Sequence, residues 1–375
     1  MLSGIVIIDF SNYLPGPFAT LRLAEMGAEV IKIEPLSGDP SRSTGPQKDG
    51  KGLVFLANNR GKKSITINLK ENEGRELALR LIAGADVVLE SFRPGVMEKL
   101  GLGYEKVRAL KPDIIYCSIS GYGQQGDMSK LGSHDLNYMA LSGVLSQFKD
   151  ENGRPVHPSI TMADYVGGMA ANERILAGLV SRSLNGKSSY HSISITEAMA
   201  SMLGNHLLVE KETGEANGIS VLNGSIISYV IYETLDGRYV SLAALEPKFW
   251  RNFCFGVNRE EWIEAHFSKT IEDNPVYFEV KKLFKSRSFQ EWVDFSIKVD
   301  CCLTPVLEVG ELRTFPYFLE KKTVAYDGQV KMHSDFEMFT IAPPPYKGEH
   351  TDSVLKKFLG VSDEEISMWK KRGII

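Results

Sequence analysis

A histidine and an aspartate lie thirty positions apart, and both sit where side chains commonly do chemistry. His134 lies in Ser133-His134-Asp135-Leu136-Asn137-Tyr138, and Asp164 in Ala163-Asp164-Tyr165-Val166-Gly167-Gly168-Met169. A Pro- and Gly-containing loop joins the two stretches. Each opens a segment whose spacing predicts a helix. Leu136, Met139, Ala140 and Val144 recur on one face after His134, and Val166, Met169, Ala170 and Ile175 do so after Asp164. A side chain at a helix start faces the positive end of the dipole and a set of unpaired N–H groups. That setting suits a carboxylate that must stay ionised, or a site where negative charge develops. The bland alternative is that both residues are only N-caps.

Alternating strand and helix signals predict the scaffold. Ile5-Val6-Ile7-Ile8, ending at Asp9, reads as a buried parallel strand. Asn12 to Pro17 makes a turn, Phe18 to Met26 a helix closed by Gly27, and Glu29-Val30-Ile31-Lys32-Ile33-Glu34 a second strand. The first turn lacks Gly-x-Gly-x-x-Gly, so no nicotinamide cofactor is expected. A Gly-, Pro- and Ser-rich loop (37–52) and the cations Arg60, Lys62 and Lys63 precede a strand at 65–70. Those cations are either a solvated face or an anion site. A helix (73–83), strand Val87–Glu90, a helix-like segment (104–110), strand Ile114–Ile119 and strand Tyr190–Ile195 follow. The class is α/β with an open sheet, whose ligands bind beyond the carboxyl ends of the strands. Arg93 is such a strand-end residue, and Pro94-Gly95 after it makes a stiff turn that presents it to a phosphate.

A long helical segment (197–211) leads to a Gly- and Asn-bearing linker (212–224). A second domain then opens with strand Ser228–Thr234, an Asp236-Gly237 hairpin and strand Tyr239–Ala243. Helices follow near 247–255, 259–267, 275–285 and 288–299. From about 326 a strand or two, a loop at Pro343-Pro344-Pro345 and a helix pair after His350 complete the chain.

The 375 residues favour two domains, with 43% hydrophobic and 24% charged residues, an ordinary globular balance. A net charge of −4 gives no footprint for nucleic acid or an anionic membrane. Cys117, Cys254, Cys301 and Cys302 lack metal-type spacing, and adjacent Cys301-Cys302 is a poor disulfide candidate. No metal is expected. No apolar run reaches membrane-spanning length, and the N-terminus lacks a signal peptide's basic start, so a cytoplasmic location is expected.

Over essentially its whole length the chain resembles the family III CoA-transferases (CaiB/BaiF type), the family that also contains the α-methylacyl-CoA racemases. The landmarks are Pro15-Gly16-Pro17, Gly27-Ala28-Glu29-Val30-Ile31-Lys32-Ile33-Glu34, Asn59-Arg60 to Leu69-Lys70, and Phe92-Arg93-Pro94-Gly95-Val96. Leu100-Gly101-Leu102-Gly103, Gly121-Tyr122-Gly123, the Asp164 motif, Thr304-Pro305-Val306 and Gly348-Glu349-His350-Thr351 continue the series. The resemblance implies a large Rossmann-like domain from residues 1–211 plus 326–375. It also implies a smaller α+β domain over 225–325, and a homodimer whose subunits interlock like linked rings.

It implies roles as well. In transferases an Asp at the position of Asp164 is the nucleophile, carrying first an acyl anhydride and then an aspartyl-CoA thioester. The racemase branch is the nearer likeness. His134 and Asp164 match its catalytic pair, and Glu246, in Ala-Leu-Glu-Pro-Lys-Phe-Trp, matches the residue that orients the His. Such a pair serves 1,1-proton transfer at the α-carbon of a 2-methylacyl-CoA. N–H groups of the helix following Asp164 would hold the enolate oxygen. By position Lys70, Arg93 and Lys99 would contact CoA, and no cofactor beyond that CoA moiety is implied. Lys99 replaces an Arg found in racemases, Pro35 stands where several members place Arg, and Gly167-Gly168-Met169 interrupts a usual run of three glycines.

Without the resemblance some of these residues read otherwise. Glu246 before Pro247 serves equally as a cap of the next helix. Tyr138 is either core or acyl-pocket lining. His157, His191, His206 and His266 are structural, and Cys301 and Cys302 are packing residues rather than nucleophiles. The rival to the racemase is a transferase moving CoA between carboxylic acids. A third reading, a CoA-binding protein without turnover, has no use for the His134–Asp164–Glu246 set.

Overall fold

The computed structural model describes residues 1–150, 152–216, 218–324, 330 and 342–375. They form two compact units, Met1–Leu203 with Phe336–Ile375, and Gly204–Asp335.

The first unit is built on six parallel strands: β1 (Val6–Asp9), β2 (Glu29–Glu34), β3 (Lys63–Thr66), β4 (Val87–Glu90), β5 (Ile115–Ser120) and β6 (Ser189–Ser194). Their order is β3-β2-β1-β4-β5-β6, with Ile8 opposite Ile31 on one side and Val88 on the other. This is the doubly wound order, whose direction reverses between β1 and β4 and leaves a crevice at their carboxyl ends. Successive side chains on a strand point to opposite faces, so the apolar runs feed two cores. Ile8, Ile31, Ile33, Ile65, Val88 and Tyr116 face a layer that includes the helix Asn72–Ala83 and the C-terminal residues Val354, Leu355 and Trp369. Ile7, Val30, Val87, Leu89, Ile115 and Cys117 face the opposite layer, with α1 (Pro15–Glu25) and the 24-residue α2 (Met162–Asn185).

The second unit has a three-stranded antiparallel sheet with strand Tyr239–Ala243 at its centre, between Tyr229–Glu233 and Leu303–Pro305. Its helices pack Trp250, Phe253, Phe284 and Trp292 together, and both indole N–H groups reach backbone carbonyls at 3.0 Å.

Several elements differ from the sequence expectation. The turn expected at residues 12–17 ends earlier, because α1 starts at Pro15; its missing N–H costs nothing at a first helical position. The loop at 37–52 contains a 3₁₀ turn, Pro40–Arg42, and a short hairpin pairing Gln47–Lys48 with Lys51–Gly52. The long helical segment is two helices, Ile195–Ala200 and Gly204–Thr213, broken by a 3₁₀ turn at Ser201–Leu203. Leu303–Pro305 is a strand. The strand expected near 326 falls outside the described residues except at Val330. Among the described residues no helix is long and apolar enough to cross a membrane.

Candidate active site

Asp164 is the third residue of α2 and half-buried, so it lies in the first turn without being the cap. Its main-chain N–H donates to Asp135 Oδ1 at 2.9 Å, and the Ala163 N–H donates to the same carboxylate. The other two N–H groups of that turn, on Met162 and Tyr165, reach the carbonyls of Ile160 and Thr161. The expectation that these N–H groups would hold an enolate oxygen is therefore corrected: Asp135 and the local backbone already occupy all four. Asp135 was missed by sequence reasoning. Its signal was available, an acid beside the His and one helical start away from another.

The Asp164 carboxyl has no hydrogen-bond partner among the described residues. Burial pushes its pKa up to about 7, and the charge of Asp135 adds to the shift. Burial also raises Asp135, against the pull of its two N–H donors. Two carboxyls in one partly dry place cannot both ionise cheaply.

Close packing fixes the start of α2. A Cβ on Gly168 would stand 2.7 Å from the Pro15 carbonyl oxygen and 2.8 Å from Phe18, and one on Gly167 would stand 2.8 Å from Ile195. Phe18 packs edge-on against Tyr165 with ring centres 4.9 Å apart. The third position of the motif, Met169, is 48% exposed, so it is under no such constraint. Gly168→Ala is expected to push α2 off rigid backbone, costing about 1–3 kcal/mol and lowering turnover. Thermal melts alongside initial rates check this; unchanged melting would show that the interface yields.

His134 is the N-cap of the helix Asp135–Leu141, and its own N–H donates to Asn137 Oδ1 at 3.0 Å. Its side chain is exposed. Tyr138 is buried and acts as a strut: its hydroxyl donates to the Ser133 carbonyl and accepts from the Ser133 hydroxyl, both at 3.1 Å. Only glycine fits at 121 beneath it, since a Cβ there would be 2.4 Å from the Tyr138 ring. The bond from Asp164 to Asp135 ties the two helix starts together, so the structure brings the His134 and Asp164 segments to one place.

Arg93 follows β4 by three residues, is exposed, and has no carboxylate partner among the described residues. Its Nη2 lies 3.2 Å from where a Gly132 Cβ would be, against the segment that leads to His134. Lys99 ends the short helix Val96–Lys99, and Lys70 follows β3 by four residues. Both are exposed, and neither ammonium has an ion-pair partner among the described residues. Lys70 sits on a turn set by its N–H bond to Asn68 Oδ1 and by Arg75, which donates to its carbonyl.

Glu246 lies in the second unit, exposed at the N-cap position of the helix Pro247–Gly256, where its side chain makes no capping bond. Burial raises the thiol of Cys302, and the Glu246 charge adds to it. Burial pushes Cys301 up to about 12, as befits a packing thiol.

The cations at 60–63 are neither a solvated face nor an anion site. Arg60 is 8% exposed and bonds Glu25; Lys62 is 2% exposed and lies 3.3 Å from Asp9. Lys62 also donates to the Pro17 carbonyl at 2.8 Å, so this buried network supports the first turn of α1.

The chain is similar to known proteins over nearly its full length and theirs. The model of CoA-transferase family III matches residues 2–354. Human succinyl-CoA:glutarate CoA-transferase is 32% identical over 396 residues, covering 100% of this chain and 90% of that protein. Mouse α-methylacyl-CoA racemase is 34% identical over 383 residues, covering 98% and 95%. The solved structure of Rv3272 from Mycobacterium tuberculosis superposes with a TM-score of 0.80 at 28% identity, covering 94% of this chain and 99% of that one. A CAIB/BAIF family protein from Brucella suis has the same fold, with a TM-score of 0.83 at 24% identity. The chain belongs to CoA-transferase family III.

Proposed function

We propose that this protein is an acyl-CoA racemase, moving the α-proton of a 2-methylacyl-CoA from one face of the carbon to the other. The observation that carries the reading is the Asp164 carboxyl, half-buried, unpartnered among the described residues and poised at about 7 beside the His134 segment. An acid that must donate in one direction and accept in the other works best when its pKa lies near the operating pH. His134 takes the proton from one epimer, leaving the C–H electron pair in an enolate. Asp164, protonated, returns a proton to the opposite face, and that pair becomes the new C–H bond. The reverse reaction exchanges the two roles.

In this reading Glu246 orients the His134 imidazole, and Lys70, Arg93 and Lys99 hold the CoA phosphates and adenine. Proton transfer between two side chains asks for neither a metal nor a nicotinamide. The working form is an interlocked homodimer, as the family likeness implies.

A second reading is favoured by the human relative, whose name is that of a CoA-transferase. An unpartnered carboxylate is also a competent nucleophile, and Asp164 would then carry the acyl anhydride and the aspartyl-CoA thioester. Mass spectrometry of a 2-methylacyl-CoA incubated with the protein in D2O, beside an unlabelled carboxylic acid, separates the two. One added mass unit on the unchanged acyl-CoA is the expected result. A new acyl-CoA built on the added acid, without deuterium, would replace the racemase by the transferase.

A further inference from the structure

Glu90, the last residue of β4, has no role in the reaction just described. It is 5% exposed, and among the described residues no Lys, Arg or His pairs with it. Its Oε2 accepts the N–H of Phe92 at 2.8 Å, and it shares a hydrogen bond with the hydroxyl of Ser118, its register partner on β5. Ser118 in turn bonds Tyr190. Ser91, the next residue, accepts the Asn12 N–H at 3.1 Å, and Arg93 accepts the Val96 N–H on its carbonyl. The Ser91–Arg93 turn is thus pinned on both sides, and the one pin that can titrate is Glu90.

The groups facing Glu90 are Glu98 on the helix Val96–Lys99, Tyr116 and Cys117 on β5, and Tyr190 on β6. None is a cation. A buried carboxylate without a countercharge is costly. Protonated, Glu90 can still accept the Phe92 N–H on one oxygen and donate to Ser118 with the other, so its neutral form leaves nothing unsatisfied.

We propose that Glu90 is a positioning residue of the CoA site: its carboxyl holds the Phe92–Arg93 turn while neutral, and its ionisation opposes the phosphates that Arg93 receives. The proposal rests on the assignment of Arg93 to CoA. Burial, with Glu98 adding to it, pushes Glu90 up to about 7, so the change falls within the ordinary working range. A charge inside the low-dielectric end of the sheet is poorly screened and acts on anions bound nearby.

The test is calorimetric titration of free CoA into the native protein and into Glu90→Gln, at about pH 6 and about pH 8. Gln keeps the acceptor for Phe92 and the donor for Ser118 but never ionises. A phosphate monoester titrates over the same range, so the quantity read is the ratio of the two proteins' dissociation constants at each pH. The ratio is expected near one at the lower pH. At the higher pH the native protein should bind about three- to tenfold more weakly than Glu90→Gln. A ratio that does not change with pH overturns the proposal. Glu98→Gln, on the exposed side, supplies a second reading should Glu90→Gln fail to fold. It removes a repelling charge, so Glu90 ionises sooner and native-like affinity is lost at lower pH; an unmoved midpoint also counts against the proposal. Arg93→Ala must weaken CoA at both pH values. If it does not, the assignment of Arg93 fails and takes this inference with it, whereas a weakened Arg93→Ala with a flat ratio sinks the role of Glu90 alone.

Discussion

Asp164→Asn should lower turnover by about a thousandfold while leaving CoA affinity within about twofold. Asn has the same shape, and the contact that places residue 164 is made by its main-chain N–H, so α2 stays where it is. What disappears is the proton, or the nucleophilic oxygen, on which either reading depends. The same variant carries an opposite signature in stability. The folded carboxyl has a pKa near 7 against an ordinary 3.8, so the native state holds a proton that the unfolded chain releases. Stability from this group is fully present below about 3.8 and is lost as pH rises through 7. Asn never ionises, so at about pH 8 the variant should be more stable than the native protein by about 1–3 kcal/mol. At acid pH the two should melt together. Initial rates, CoA titration and melts at both pH values read all three effects. A variant that keeps a tenth of native turnover, or that melts lower at alkaline pH, removes Asp164 from the centre of the reaction.

The sequence made the scaffold legible where one signal sufficed. Val87–Glu90 and Glu29–Glu34 were readable to the residue, because an apolar run bounded by turn residues has few alternatives in an α/β chain. Helix starts were less so. Pro15 fits both a turn and a first helical position, and tertiary contacts, the packing of α1 on Gly168 and the bond from Lys62 to the Pro17 carbonyl, favour the second. The break at Ser201–Leu203 is marked locally by Gly204 alone, which a helix interior also tolerates. For the site, types and spacing pointed to His134 and Asp164, but not to what surrounds them. Hydrogen bonds such as that from Asp164 to Asp135 are tertiary, and no period in the chain encodes them. The cations at 60–63 show the same limit. A run of basic residues predicts water as its partner, whereas here two of them meet acids from residues 9 and 25 inside the protein. One clue was present in Glu29–Glu34: a lysine inside Val-Ile-Lys-Ile cannot be buried without a countercharge.

That lysine gives the second large effect. Lys32 is fully buried, 2.9 Å from Asp39 Oδ2, and donates to the Ser11 carbonyl. Beside it Asp9 accepts from Ser11 and Thr20 and faces Lys62, and Glu34 takes a two-pronged bond from Arg42. Lys32, Arg42 and the partly ionised Lys62 face Asp9, Asp39 and Glu34 in a network that is buried apart from Arg42, whose side chain is 18% exposed. Burial alone would lower the Lys32 pKa, but Asp9, Asp39 and Glu34 outweigh it and hold it above the usual value. Burial pulls Lys62 down to about 7, where Asp9 opposes the shift and Lys32 adds to it. Lys32→Met keeps the volume and removes the charge, so Asp39 loses its partner and Asp9 keeps one cation. The expected cost is about 3–5 kcal/mol, that of breaking a buried pair from one side. Replacing Asp39 by Asn in the same chain should restore much of it, because the penalty comes from the charge left behind. The pH response follows. Burial would raise Asp9 and Asp39, but the lysines, helped by hydrogen bonds from Ser11, Thr20 and Ser41, outweigh it and hold both below the ordinary 3.8. Their stability is present above that value and is lost as pH falls through the lower folded values. Without Lys32 that hold is weaker, so the variant should lose less between neutral and acid pH than the native protein does. Urea unfolding at both pH values measures this. A cost at neutral pH under about 1 kcal/mol, or no recovery in the double variant, would mean that water reaches the network and screens it.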